Sequence, residues 1–325
     1  MSGEIANFLG ENRALVLLIA FLGDAIVGGR RGLAWLPGPD GLIASIVGLF
    51  SGRLDRISRD SSTRMVRGAA VALILAAIGF FAGWAIERWA ATSAPGALVI
   101  VVLIGLVIGQ RYALDTTLEL ARRLARDRNP SEAGHYGVAR WCVERMANRF
   151  ADGMIANSLF FLAFGLGGLF AYRVLANLVA RGAPKGVLMP ESPYYRWPAR
   201  LYRWMTLPAG ATSALAVWLA GLAVPGRPFR ARRLAYGRGG FAPETIPLRL
   251  WTVRAFAETL GLALKADPDN ERRDRLAAEI QWVGPKDGRA RADARDVRRA
   301  AYLFAISWAV TIAILGGVAL MMLRL

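Results

Sequence analysis

The chain has 325 residues, 55% of them hydrophobic, and a formal net charge of +17 from 41 Lys and Arg against 24 Asp and Glu. This hydrophobic fraction exceeds the roughly 45–50% that is usual for soluble domains. Cys142 is the only cysteine, which excludes an intrachain disulfide. With one histidine and no Cys–His cluster, a zinc site is not expected.

The apolar residues are gathered into charge-free stretches about as long as the roughly 20 residues that cross a bilayer as a helix. The stretches are 68–86, 89–110, 153–172, 204–226 and 300–323, and a sixth, 14–29, is broken only by Asp24. They predict an all-α, polytopic integral membrane protein with about six transmembrane helices. Glu4 and Glu11 precede the first run and no cleavage site follows it, so 14–29 is predicted to be a retained span.

The basic residues lie between these runs, and cytoplasmic loops of membrane proteins carry an excess of Lys and Arg. Residues 30–67, 111–149 and 225–299 are therefore predicted to be cytoplasmic, which puts both termini outside. Residues 173–203 must then lie outside despite their arginines. A re-entrant 153–172 is the alternative; it would move 173–203 inside and 225–299 outside. Because loop charge explains the basic balance, no nucleic-acid partner is expected.

The first span carries a carboxylate, Asp24, inside its apolar run. An ionisable group within a span predicts a functional site. The alternative is that Asp24, six residues before Arg30, lies near the membrane interface and pairs or snorkels there. Both interpretations stay open at this point.

Other segments follow in chain order. Residues 42–50 are apolar but too short to span, so they predict an interfacial or re-entrant helix, and 111–126 has amphipathic helical spacing. The run F-G-L-G-G-L-F at 164–170 lies within a predicted span, where small residues let helices approach closely. Apolar spacing from Leu250 predicts another helix, 280–285 predicts a compact loop, and Asp293 and Asp296 suit the start of the last helix.

The stretch from 128 to 177 is central, because a charged helical segment here runs directly into a membrane-length apolar one. Arg140, Glu144 and Asn148 recur at intervals of four and line one face of the predicted helix. A surface ion pair between Arg140 and Glu144 is the alternative interpretation. Asp152 and Gly153 lie at the joint, where a water-soluble reactant and a membrane-held one could meet.

These landmarks together resemble the CobD/CbiB family of cobalamin biosynthesis. That family opens with D-x-x-x-G-D-P and W-L-P-H-P, and its centre reads R-D-T, then R-A-x-x-E-S-x-A-E-N-x-x-D-G-x-x-A-P-L-F. This chain supplies Asp24, Gly28, Trp35, Leu36, Pro37 and Pro39, then Arg128, Arg140, Glu144, Ala147, Asp152, Gly153, Ala156, Leu159 and Phe160. The resemblance covers about 14–320 and is strongest at 128–175.

The chain also departs from the family pattern at several acidic and amide positions. Asn129-Pro130 replaces the D-T, Asn148-Arg149 replaces the second E-N, and Asn157 replaces the proline. Val179 replaces the aspartate of N-T-L-D. Tyr202 and Arg203 replace an adjacent aspartate pair. These changes remove oxygen ligands of the kind that Mg²⁺ requires.

The resemblance implies one membrane domain over 1–325, with 225–299 as a large basic cytoplasmic loop, in a bacterial inner membrane. It implies ATP-dependent attachment of aminopropanol, or its phosphate, to adenosylcobyric acid, with ATP and Mg²⁺ as cofactors. Glu144 and Asp152 become the catalytic candidates, and Arg128, Arg140, Gly153 and Asp24 the candidates for binding substrate or phosphate. No metal ligand can be assigned. Implied partners are the corrinoid, membrane lipid, and other cobalamin-pathway proteins or a second copy.

A non-catalytic relative, an AmpE-like regulator or scaffold that has lost the active site, is the alternative that the departures suggest. A transporter is a third interpretation, suggested by Asp24. It is disfavoured because the other runs are free of charge and show no inverted repeat.

Overall fold

The computed structural model describes residues 12–27, 39–56, 58–90, 94–126, 132–182, 192–224, 249–265, 282–285 and 288–322. The predictions about Arg128, Gly28, the W-L-P motif at 35–37 and the Asn129-Pro130 replacement lie outside these residues. The described chain is almost wholly helical, which confirms the all-α prediction.

The helices follow the apolar runs and their charged flanks. In chain order they are α1 (Arg13–Val27), α2 (Pro39–Leu54), α3 (Ser61–Ala90), α4 (Ala94–Ile108), α5 (Gln110–Arg126), α6 (Glu132–Asn148), a π-helix (Arg149–Ala156), α7 (Asn157–Gly182), a 3₁₀ turn (Pro193–Tyr195), α8 (Arg196–Met205), α9 (Leu207–Gly221), α10 (Arg249–Leu260) and α11 (Ala294–Met322). The strands β1 (Leu264–Lys265) and β2 (Trp282–Val283) pair antiparallel, so part of the predicted loop at 280–285 is a strand.

Within the described part of the chain, four helical stretches are long and apolar enough to cross a membrane: Ser61–Ala90, Leu98–Arg126, His135–Gly182 and Ala294–Met321. Their length and composition establish an all-α membrane protein. The helices in the predicted first and fifth spans, α1 and α9, have 15 residues each. The count of six spans therefore stays a prediction.

Contacts divide the chain into two compact units. The first unit comprises Met1–Tyr112, Ala156–Met205 and Ile312–Leu325, and the second comprises Ala113–Ile155 and Thr206–Thr311. The sequence predicts one membrane domain over 1–325. The division into two units does not test that prediction.

In the first unit, α3 packs closely against the second part of α7. A Cβ added at Gly83 would lie 2.5 Å from the carbonyl oxygen of Leu166, and one added at Gly167 would lie 2.7 Å from that of Phe80. Small residues at these points let the two backbones approach, which confirms the prediction for the F-G-L-G-G-L-F run.

The predicted fourth span, 153–172, is interrupted at Gly165, where φ is 67° and ψ is −157°. The rings of Phe160 and Tyr172 stack with centroids 4.8 Å apart across this break. Twelve residues of unbroken helix would rise about 18 Å. The chain therefore reverses at Gly165, and the expectation of one continuous helix over 153–172 is wrong.

Residues that come after this reversal lie against 40–64, from the start of α2 to the start of α3. Arg173 Nε donates to Asp40 Oδ1 at 2.7 Å, and Ser192 Oγ donates to Asp55 Oδ2 at 2.9 Å. Arg64 Nη2 donates to the same Asp55 carboxylate at 2.7 Å. The expectation that 30–67 and 173–203 lie on opposite sides of the membrane is therefore wrong, because the two segments are in contact.

The 3₁₀ turn continues this contact with two buried tyrosines. A Cβ added at Gly68 would lie 1.7 Å from the Tyr194 carbonyl oxygen, and one added at Gly182 would meet the ring of Tyr195. Burial raises the pKa of Tyr194 to about 12 and also raises the pKa of Tyr195. Both phenols therefore stay neutral at physiological pH.

The second unit has a core of its own. The helix predicted from Leu250 is confirmed as α10, which buries Leu250, Val253, Phe256, Ala257 and Leu260. It packs on α9, where the buried hydroxyls of Ser213 and Thr252 are 2.5 Å apart. The predicted start of the last helix is confirmed too, because the Asp293 carboxylate accepts from the amides of Arg295 and Asp296 at 2.8 and 2.9 Å.

Candidate functional site on the central helix

The candidate site residues of the second unit lie on α6 and the π-helix that continues it. α6 buries one face through Ala139, Val143, Met146 and Ala147. It packs on α10 and β1. This apolar face fixes the rotation of the helix, so the remaining side chains have defined directions.

Arg140 and Glu144 form a buried pair on α6. Glu144 is 1% exposed, and its Oε1 lies 3.8 Å from Arg140 Nε. Arg140 Nη1 also donates to the Ala290 carbonyl at 3.5 Å. A buried carboxylate stays ionised only with such a partner, and removing that partner would leave a costly isolated charge. The prediction that the two side chains share a face is confirmed, whereas their pairing is internal rather than a surface salt bridge.

Asp152 and Gly153 lie inside the π-helix, Arg149–Ala156. π-turns are rare and occur frequently at functional sites, because the wider turn redirects the side chains that come after it. Phe150, Ala151 and Met154 of this segment are buried, whereas Asp152 is only half-buried. Phe150 packs edge-on against Phe304, with ring centroids 5.8 Å apart.

The axial separation of the two candidate carboxylates restricts their chemistry. Glu144 and Asp152 are eight residues apart, which corresponds to about 12 Å along a helix. One ion bound directly by both carboxylates would need oxygens within about 2.1 Å of it. The pair therefore does not fit a shared Mg²⁺ site. Among the described residues there is also no group of three or more His, Cys, Asp and Glu that could hold a metal.

Asp24 belongs to the first unit and accepts hydrogen bonds from the start of α5. Its Oδ2 accepts from the amides of Gln110 at 2.8 Å and Arg111 at 3.1 Å, and it is 3% exposed. A carboxylate at a helix N-terminus satisfies free amides and complements the helix dipole. These bonds make Asp24 a helix cap, which neither interpretation described, and Arg30 lies outside the described residues. Its role in substrate binding stays a prediction.

Glu87 is a second carboxylate that accepts a hydrogen bond from a helix amide. The sequence alone did not identify it. Its Oε2 accepts from the Leu166 amide at 3.0 Å, and its Oε1 lies 3.5 Å from Arg13 Nε. Arg13 Nη1 in turn donates to the Ala163 carbonyl at 3.2 Å. The available signal was weak: an acidic residue at the end of one apolar run and a glycine cluster in the middle of another.

Comparisons with known proteins give a consistent result. The family model described as CobD/Cbib protein matches residues 17–180. The chain is 28% identical over 315 residues to the "Cobalamin biosynthesis protein CobD" of Brucella suis, covering 90% of this chain and 93% of that protein. It is 28% identical over 229 residues to the protein of the same name from Sinorhizobium sp.. This match covers 64% of this chain and 69% of that protein. No solved structure matches the chain significantly.

Proposed function

The chain belongs to the CobD/CbiB family, and we propose that it acts in cobalamin biosynthesis as a membrane-bound amide synthase. The relatives that it resembles over most of its length carry the name of cobalamin biosynthesis proteins, which supports the pathway. The proposed reaction joins aminopropanol, or its phosphate, to the f-side-chain carboxylate of adenosylcobyric acid. The proposed site of action is a bacterial inner membrane, with the basic segments 30–67 and 173–203 on its cytoplasmic side.

The chemistry requires two steps. A corrinoid carboxylate oxygen attacks the γ-phosphorus of ATP, and ADP leaves with formation of an acyl phosphate. The amine nitrogen then attacks the acyl carbon, the phosphate leaves, and the amine loses a proton. Such a reaction is accelerated by cationic groups on the transferred phosphoryl group and by a base positioned at the amine.

The observation that carries the proposal is the buried Arg140–Glu144 pair, eight residues before Asp152 in the π-helix. In this proposal, Arg128 and Arg140 bind phosphate and Gly153 allows close approach of the substrate. Asp152 positions the amine and accepts its proton, whereas Glu144, about 12 Å from Asp152 along the helix, holds Arg140 toward the phosphate. Arg128 lies outside the described residues, so its role rests on the family pattern alone.

ATP and Mg²⁺ are implied by the family alone. When bound, the ion would neutralise phosphate charge, and Mg²⁺ commonly retains waters and binds through a single carboxylate together with substrate phosphates. Since Glu144 and Asp152 are too far apart to share one ion, no step is routed through the metal.

A specific observation favours the non-catalytic alternative. Tyr202 replaces a family aspartate and is buried in packing. Its ring stacks on Tyr172 with centroids 5.8 Å apart, and the two hydroxyl oxygens are 3.3 Å apart. A position that is acidic in the family therefore contributes to the core here, as expected of a scaffold or regulator that retains the fold.

The purified protein, with ATP, adenosylcobyric acid and aminopropanol, tests the proposal by mass spectrometry of the corrinoid. We expect one amide and one ADP per turnover, and a decrease of about 10²-fold or more for Glu144→Gln and Asp152→Asn. Glu258→Gln is the matched control for Glu144→Gln, because Glu258 pairs with Arg254 at the same i,i+4 spacing but is 38% exposed. Unchanged rates for both site variants would contradict the assignment. Corrinoid binding without turnover in the wild type would favour the alternative.

A further inference from the structure

Contacts within the first unit define the relative directions of its helices. Asp24, near the end of α1, bonds to the start of α5, so α1 and α4 run parallel. Gly96, near the start of α4, lies against Ala90 at the end of α3, so these two helices run antiparallel. α1 and α4 therefore both run toward the end of the first unit at which α3 begins, although α4, with 15 residues against the 30 of α3, ends about halfway along it.

Residues 157–182 form a helical hairpin within the first unit. Its first limb, 157–164, reverses at Gly165 into a second limb, 166–182, that runs antiparallel to α3. Gly83 lies against Leu166 and Gly79 against Phe170, whereas Tyr194, beyond the second limb, lies against Gly68. The tip of the hairpin is therefore beside the end of α3, and its open end is beside the start of α3.

Charged side chains hold the tip. Breaking a helix frees carbonyls on one side and amides on the other, and within a membrane these groups need partners. Arg13 binds the Ala163 carbonyl and Glu87 binds the Leu166 amide, while Arg13 and Glu87 also pair with each other. A helix that simply crossed the bilayer would need neither group at this position.

From this arrangement we infer that residues 157–182 enter and leave by one membrane face, the face at which α3 begins and toward which α1 and α4 run. The segment contributes no net crossing. The basic residues of 53–67 and 173–203 then lie on a single face. The inference rests on the contacts within the first unit and not on the proposed reaction.

Single-cysteine labelling tests this routing in a Cys142→Ser background, since Cys142 is the only cysteine. The probe positions are exposed: Arg59 and Arg196 on the inferred common face, and Arg88 at the opposite end of α3. A membrane-impermeant maleimide is applied to intact spheroplasts and to inside-out vesicles. Labelling after detergent treatment controls for reactivity.

We expect the Arg59→Cys and Arg196→Cys variants to be labelled in the same preparation, and Arg88→Cys in the other. Labelling of Arg196→Cys together with Arg88→Cys would overturn the inference. Arg200→Cys, exposed on the same helix, provides an independent second probe of the 173–203 side.

A cross-linking measurement tests the hairpin directly. In a Phe160→Cys, Tyr172→Cys double variant, a short bifunctional thiol reagent should join the two positions within one chain. The control pair Phe160→Cys, Val179→Cys lies farther along the second limb and should remain unjoined. Equal failure of both pairs, with both thiols reactive in detergent, would contradict the reversal at Gly165.

Discussion

Two interrupted helices in the first unit have similar structures but different surroundings. At Gly109 the chain passes from α4 into α5 with φ of 46°, and Asp24 caps the new helix. At Gly165 it reverses within α7 with φ of 67°, and Glu87 caps the second limb. In each case a glycine makes the turn and a carboxylate from a neighbouring helix satisfies the freed amides.

The two interruptions differ in the segment on their C-terminal side. α5 is amphipathic and charged, so the turn at Gly109 leads out of an apolar run. The limb after Gly165 is free of charge until Arg173, so this turn lies inside a charge-free run. A charged residue within or beside an apolar run can therefore be a helix cap in this protein, and this structural role must be separated from any catalytic one.

Replacing the glycine at the reversal should have the largest effect on stability. Gly165→Ala places a Cβ 2.2 Å from the Glu87 carboxylate and forces alanine into a backbone region that is essentially restricted to glycine. We expect a loss of about 3 kcal/mol or more in unfolding free energy, measured by thermal unfolding in detergent. Gly316→Ala is the control, because a Cβ there meets nothing within 4 Å, and it should leave stability unchanged. Equal stability of the two variants would refute the turn.

Removing the buried cap of α5 should have the next largest effect. Asp24→Ala leaves the amides of Gln110 and Arg111 without their acceptor, at a cost of about 2–3 kcal/mol. Asp24→Asn retains an acceptor oxygen and should lose less. If both variants unfold as the wild type does but lose corrinoid binding, Asp24 acts on the substrate and not as a cap.

Removing the cap at the hairpin tip should lower stability less than removing Asp24. Glu87 accepts from one amide, and its side chain is 19% exposed. Glu87→Ala should cost about 1–2 kcal/mol, since the Leu166 amide loses its acceptor and Arg13 loses its ion-pair partner. A double-mutant cycle with Arg13→Ala measures the coupling. Additive losses would show that the two residues do not act together.

Asp60 precedes α3 and is a fully exposed helix cap. Its replacement should have the smallest effect on stability. The hydroxyl and amide of Ser62 bond to its carboxylate and lower its pKa. Its stabilisation is therefore present above the ordinary carboxyl pKa and is lost as pH falls through the lowered value. The stability difference between wild type and Asp60→Ala should be constant from pH 7 to 5 and shrink below about pH 4. A difference that grew on acidification would contradict this sign.

The sequence predicted the helical membrane class because several charge-free runs of membrane-spanning length rarely occur together in a soluble chain. It also placed Arg140 and Glu144 on one face, since i,i+4 spacing alone decides that. It offered a re-entrant 153–172 only as an alternative, because the charge-free run continues on both sides of Gly165. Glu87, whose contact with Leu166 spans 79 residues, gave no local signal.

The candidate site, too, was only partly predictable from the sequence. Spacing gave the Arg140–Glu144 pair, but only packing against the second unit's core explains why Glu144 is buried. The π-helix around Asp152 was not predicted, because R-F-A-D-G-M-I-A has ordinary helical composition. The family pattern supplied the roles of these residues, and local chemistry by itself did not.

Complementation tests the central claim most directly. This chain is expressed in a bacterium that lacks its own CobD/CbiB protein, and growth is made to depend on cobalamin formed from cobyric acid. The account predicts growth with the wild type and with Glu258→Gln, and none with Glu144→Gln or Asp152→Asn. Absence of growth with the wild type, when the protein is folded in the membrane, would contradict the proposed synthase.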